Sequence, residues 1–253
     1  MPFWCLRAAT TARLFSSTTA SSTGQHAMLY KPDGVLSQFV YNGQQRLKKH
    51  QKLLSALPCA SSLPPKAMVV GRLDQDSEGL LLITTDGKLS YYITKSRLIE
   101  KEYLAQVEGE LPALARQQLS DGVDIGLGAG KTHRTRPCRV ELIGEPPLLP
   151  IRSRPVPGLT RRKIDGSTVM TPTSWVSLTL VEGKYRQVRK MTAAVGHPTL
   201  RLVRIRVGDV VIGDLQPSEL RPWHPGKALL RSANAFAAMR SAETRCYFTG
   251  VAP

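Results

Sequence analysis

Apolar residues in this chain fall in short runs and alternations, not in long helical stripes. Residues 79–84 (GLLLIT) are a continuous apolar run, as expected of a strand buried on both faces. Residues 99–108 place Tyr103, Ala105 and Val107 two apart, on one face of an extended segment. Residues 175–181 alternate, and residues 200–211 interleave Arg with aliphatic residues as a half-exposed strand would. Shorter strands are predicted over 67–73 and 140–143. Residues 28–39 (MLYKPDGVLSQF) predict a strand, a Pro-Asp-Gly turn and a second short strand. Helices are predicted over 44–57, 89–94, 112–119 and 185–195, the last closed by Gly196 and Pro198. Residues 58–66 and the proline-rich stretch 144–172 predict loops. Residues 226–253, rich in Ala, predict a loosely attached helix. Strands outnumber helices and no regular crossover helices separate them. The expected class is therefore α+β, with an antiparallel or mixed sheet and flanking helices.

At 253 residues the chain has room for one large domain or two small ones. Its 35 Lys and Arg against 19 Asp and Glu give a net charge of +16, which calls for a polyanionic partner, nucleic acid ahead of an anionic membrane. The charge is clustered. Residues 131–163 hold nine Lys or Arg against two acids, and residues 183–206 hold seven against none. Helical spacing puts Arg186, Arg189 and Lys190 on one face, and strand spacing pairs Arg204 with Arg206. Both faces are expected to track a phosphate backbone.

Other chemistry is thin. Cys5, Cys59, Cys138 and Cys246 form no CxxC pair, and the five histidines form no HExxH pattern. No metal centre or disulfide framework is expected, and a reducing compartment fits. Residues 126–132 (GLGAGKT) miss the first glycine of a phosphate loop, where Ile125 stands. The strand-like HRTRPCRV that follows predicts a hairpin instead. Residues 1–27 contain Arg7 and Arg13, no acid and many Ser, Thr and Ala, the composition of a transit peptide. Mitochondrial targeting is expected ahead of plastid targeting.

Residues 71–87 (GRLDQDSEGLLLITTDG) put Arg72 and Asp74 at the entrance to a buried strand. Alone, such a pair is more often a turn cap or structural ion pair. The stretch resembles the active-site motif of bacterial ribosomal RNA pseudouridine synthases of the RsuA/RluE type. Four further segments resemble that family's motifs in order: YKPDGVLSQF, EKEYLAQVEG, PTSWVSLTLVEGKYRQVRKM and VGHPTLRLVRIRVGD. The likeness runs from about residue 28 to 224. It is greatest to the branch acting on the large subunit, branch E, and no S4 RNA-binding domain is expected.

The resemblance implies a catalytic domain over 28–225, followed by an extension of unknown role over 226–253. It implies an isomerase that needs no cofactor and acts on large-subunit rRNA or a pre-ribosomal particle, which the transit-peptide composition of residues 1–27 makes organellar. Asp74 matches the nucleophile, with an arginine expected to hold its pKa low. Arg189 matches the arginine paired with it, Tyr103 the tyrosine on the base, and Leu202 the apolar residue on the other base face. Arg72 matches the arginine filling the space left by the extruded nucleotide. Lys31, Arg186, Gln187, Lys190 and Arg204 are expected to contact RNA. The intermediate, ester or glycal, stays open. The rival reading is a catalytically silent rRNA-binding assembly factor that keeps the fold.

Overall fold

A computed structural model describes residues 24–41, 51–146, 149–152 and 154–249. The elements run β1 (His26–Lys31), β2 (Val35–Leu36), β3 (Lys52–Leu53), β4 (Met68–Val70), β5 (Glu78–Thr84), α1 (Gly87–Lys95), β6 (Lys101–Glu108) and α2 (Ala113–Asp121). They continue with β7 (Asp124–Gly128), β8 (Lys131–Arg134), β9 (Arg139–Ile143), β10 (Thr160–Arg162), β11 (Thr168–Met170) and β12 (Thr173–Leu180). The chain ends with α3 (Gln187–Ala194), β13 (Thr199–Val207), β14 (Val210–Val211), β15 (Leu220–Pro222) and α4 (Lys227–Thr249).

The main sheet has the order β15-β1-β5-β13-β6-β12-β9, with β4 added to β5 and β14 to β13. Only the β5–β13 contact is parallel, so the sheet is mixed, as the strand-rich pattern implied. All seven residues of β5 are buried, because β1 and β13 flank it and both its faces are covered. Leu81 and Ile83 join Leu29 and Leu54 on one face, while Leu80 and Leu82 join Val203 and α1 on the other. A third cluster gathers Ala105, Val107, Val176 and Leu178 under α2 and α3, around Leu119 and Met191.

Local chemistry explains the ends of the elements. The Asp86 carboxylate caps α1, accepting from the backbone of Lys88 at 2.8 Å and of Leu89 at 3.1 Å. Gly79 has φ +102°, and an added Cβ would run into the Arg204 backbone, whose nitrogen lies 2.8 Å away. Glycine there lets β5 and β13 approach closely enough to pair.

Four expectations need correction. The helix over 44–57 falls mostly outside the described residues, and its described end is β3 followed by a 3-10 turn at Leu54–Ala56. The stretch 144–172 is not all loop: β10 and β11 pair as a hairpin closed around Lys163 and Ser167. Its Thr and Val content supplied a strand signal that the prolines masked. The boundary at residue 27 is late, because His26 and Ala27 already pair with Thr84 and Ile83. The closing helix is not loose at its start. Ala233 is fully buried, and Phe236 packs on Tyr91 and Tyr92 with ring centroids 5.7 and 5.5 Å apart. The GLGAGKT stretch is the β7–β8 hairpin expected, with Lys131 opening a strand rather than a helix.

Candidate active site

A cleft of about 950 Å³ opens over the sheet where β6 and β13 run side by side. One wall is the loop of residues 71–77 between β4 and β5, which carries Asp74. Ser37 grips this loop from both sides: its Oγ donates to the Leu73 carbonyl at 2.7 Å and accepts from the Leu73 N–H at 3.0 Å. The Gly34 N–H donates to the Gln75 carbonyl at 2.8 Å. Beneath both lies Lys31, fully buried, whose Nζ donates to the carbonyls of Pro32, Val35 and Gln75. Burial pushes the Lys31 ammonium down to about 7, against the pull of four nearby carboxylates led by Asp33. Lys31 therefore ties two loops together and does not reach RNA, contrary to the expectation. A lysine in a Lys-Pro turn reads as a surface cation until the fold closes over it.

The opposite wall is the turn of residues 181–186 leading into α3. Arg186 precedes the helix in left-handed backbone, with φ +54° and ψ +36°. It is therefore not on one helical face with Arg189 and Lys190. Its guanidinium donates to both oxygens of Asp76, at 3.0 and 2.9 Å, and lies 3.6 Å from Asp74 Oδ2. Arg189 reaches Asp76 instead, donating to its backbone carbonyl at 3.0 Å and standing 3.4 Å from its carboxylate. It also donates to the Thr199 carbonyl at 3.0 Å. The guanidinium beside Asp74 is thus Arg186, and Arg189 braces the loop from behind.

Gln187 is buried as well. Its Oε1 accepts from the Lys184 N–H at 2.8 Å, and its Nε2 donates to Glu182 at 2.7 Å. Glu182 also accepts from the Arg136 N–H at 2.9 Å. Gln187 thus shapes the turn that presents Arg186, and its amide is not turned toward RNA. Lys190 donates to the Gly126 carbonyl at 2.6 Å and sits over the Tyr185 ring, 5.1 Å from its centroid. Arg72 stands exposed at the cleft.

Tyr103 on β6 and Leu202 on β13 form the floor, both nearly buried. In register, Leu202 faces Ala105 and Tyr103 faces Arg204, so Tyr103 and Leu202 are diagonal neighbours on one face. Arg204 is 3% exposed and donates from Nε to the Leu80 carbonyl at 2.8 Å. It lines the cleft and is not a surface cation. Arg206 pairs with Glu100 and Glu102 at 2.9 and 2.8 Å, so the expected Arg204–Arg206 phosphate face does not exist.

The two carboxylates of the loop differ in state. Burial pushes the Asp74 carboxyl above its ordinary value, opposed by Arg186. The sign is opposite to the expectation, because Arg186 gives its two hydrogen bonds to Asp76. Burial acts on Asp76 too, but those hydrogen bonds and the charge of Arg189 bring its carboxyl below the ordinary range. Asp76 is the functional residue that sequence reasoning passed over. Its signal was the Asp-x-Asp spacing within the motif. A half-buried carboxylate, held by its loop over an aromatic and apolar floor in an open cleft, suits nucleophilic attack on an extruded nucleotide.

The family model described as RNA pseudouridylate synthase matches residues 25–194. The chain belongs to the RNA pseudouridine synthase family. It is 41% identical over 191 residues to ribosomal large subunit pseudouridine synthase E of Xanthomonas axonopodis pv. citri, covering 75% of this chain and 89% of the relative. The counterpart from Vibrio parahaemolyticus is 39% identical, with 75% and 69% covered. A crystal structure of a pseudouridylate synthase superposes with a TM-score of 0.56 at 27% identity, over 79% of this chain and 70% of that one. This synthase is therefore an isomerase with the family's fold. No helix among its described residues is long and apolar enough to cross a membrane.

Proposed function

We propose that this synthase converts one uridine of organellar large-subunit rRNA to pseudouridine, with Asp74 as the nucleophile. The observation that carries the reading is the position of Asp74: its carboxylate lies 3.6 Å from Arg186 in the cleft floored by Tyr103 and Leu202. The names of the relatives at about 40% identity support the large subunit as target. The Arg-bearing, acid-free residues 1–27 support an organelle, with the mitochondrion ahead of the plastid.

The reaction breaks the N1–C1′ bond, turns the base and forms a C5–C1′ bond. The C5 hydrogen leaves as a proton and N1 gains one, so no electrons are exchanged. Asp74 supplies the attacking carboxylate. Arg186 lies close enough to favour its ionised form, while Asp76 holds Arg186 in place. Tyr103 and Leu202 bracket the base, and Tyr103 is placed to move a proton. Arg72 enters the stack that the uridine vacates.

The test is carbodiimide mapping of organellar rRNA from a strain lacking the gene. Loss of one large-subunit pseudouridine, restored by the wild-type chain and not by Asp74→Asn, is the expected result. An unchanged map with defective subunit assembly would overturn it in favour of an assembly factor. Fusing residues 1–30 to a fluorescent protein tests the address: mitochondrial signal is expected, and cytosolic signal would remove the organelle from the proposal.

A further inference from the structure

The cleft continues beyond Tyr103 and Leu202 onto Lys101 and Arg204. Lys101 and Tyr103 are two apart on β6. Leu202 and Arg204 are two apart on β13, and Tyr103 is directly opposite Arg204. The period of two puts all four on the same side of the sheet. The array is half base-binding floor and half cation.

The cations there are unmatched. Arg186, Arg189 and Arg206, the guanidiniums near these two, each face a carboxylate, and Arg72 stands exposed at the mouth of the cleft. Arg204 has only the Leu80 carbonyl, and its Nη2, out of contact with water, has no partner among the described residues. Lys101 donates from Nζ to the Ile99 carbonyl at 2.9 Å. Burial pushes the Lys101 ammonium down to about 8, and the Arg204 charge pushes the same way, with no acid opposing. A buried guanidinium beside a half-buried ammonium, with no counter-charge, is costly unless a ligand supplies one.

We propose that Lys101 and Arg204 form a subsite for a phosphodiester of the substrate strand, next to the uridine that reaches Asp74. A phosphate brings a full negative charge and several acceptor lone pairs, whereas uracil carbonyls are neutral. The Leu80 carbonyl fixes the guanidinium, so Arg204 acts on the phosphate through a fixed charge, while the half-buried Lys101 ammonium supplies the hydrogen bond and little ordering remains to be done on binding. This inference rests on the reading of the cleft as a uridine site.

The experiment uses the full chain and a substrate RNA in which each phosphate flanking the target uridine is replaced in turn by a neutral methylphosphonate. Lys101→Met is expected to raise KM about tenfold, with the larger part of the loss in KM, and to reduce the salt slope of binding by roughly one phosphate contact. Lys101→Arg should recover most of the loss. One methylphosphonate should weaken the wild type by the same factor and cost Lys101→Met nothing further. A wild-type salt slope in Lys101→Met, or a methylphosphonate penalty at every position equal in both proteins, would overturn the subsite. A loss confined to kcat would place the pair against the uracil ring and would overturn it too. RNA binding by Asp74→Asn, with and without Lys101→Met, reads the phosphate contact even if the wild type forms no pseudouridine. In that case the functional reading falls and the subsite is judged separately.

Discussion

Arg186 holds Asp76 through two parallel hydrogen bonds of 3.0 and 2.9 Å, and does so from left-handed backbone. A non-glycine residue in that conformation costs about 1 kcal/mol or more, and such strain persists where the surroundings fix it. Here the fixing is done by Asp76 and by the Gln187 amide that closes the turn. The planar fork then lies at 3.6 Å from Asp74. Arg186→Lys keeps the charge and loses the fork. It is expected to lower kcat more than tenfold while costing only about 1 kcal/mol of stability, because the pair is partly exposed. Single-turnover kinetics and a denaturant titration check the two halves.

Asp74 should trade stability for activity. Its carboxyl is raised by burial, so the folded state binds the proton more tightly than the unfolded state. Its contribution to stability therefore falls as pH rises through its folded pKa. Asp74→Asn is expected to be inactive, yet to unfold at a higher temperature than the wild type at pH 7. The difference should shrink below pH 4. Calorimetry at the two pH values reads this directly.

Behind the site lies a buried ionic lattice. Arg152 meets both Asp33 and Glu78, Arg201 meets Glu78 with two bonds of 3.0 Å, and Arg154 meets Asp33 at 2.6 Å. Burial works against the Asp33 carboxylate, but the two guanidiniums outweigh it and hold its pKa at about 2. Arg152→Ala leaves buried carboxylates without their partner and is expected to cost about 3–5 kcal/mol. Arg154, partly exposed, should cost clearly less on the same change. Equal losses in chemical denaturation would contradict this arrangement.

Gly79→Ala tests the close approach of β5 and β13. The added Cβ would meet the Arg204 backbone, in a conformation alanine avoids. The variant is expected to lose at least about 2 kcal/mol, and thermal melts compared with Gly87→Ala, where the surroundings are open, isolate the effect.

Much of this was readable before the fold was known. The period-two alternation around Tyr103 and the apolar run after Glu78 placed the sheet's central strands, since burial is written directly into composition. The placement of Asp74, Tyr103 and Leu202 in one cleft followed the motifs. The charge pattern misled. Residues 183–206 contain no acid, so their arginines looked free. Their partners Asp76, Glu78, Glu100 and Glu102 come from a segment about a hundred residues earlier, which the sheet folds against them. Ion pairing across strands leaves no local trace in sequence. The same holds for Lys31, whose burial depends on loops that only tertiary packing brings together.

Asp74 is proposed as the carboxylate that lets C5 replace N1 at C1′. The most direct measurement uses large-subunit rRNA and ribosomal particles from a strain lacking the gene, labelled with tritium at C5 of uridine. C5 gives up its hydrogen when it bonds to C1′, so each turnover frees one tritium. The wild-type chain is expected to release one tritium per target RNA, with pseudouridine appearing at that position, and Asp74→Asn none. Release by Asp74→Asn at the wild-type rate, or no release by the wild type from either substrate, would contradict it.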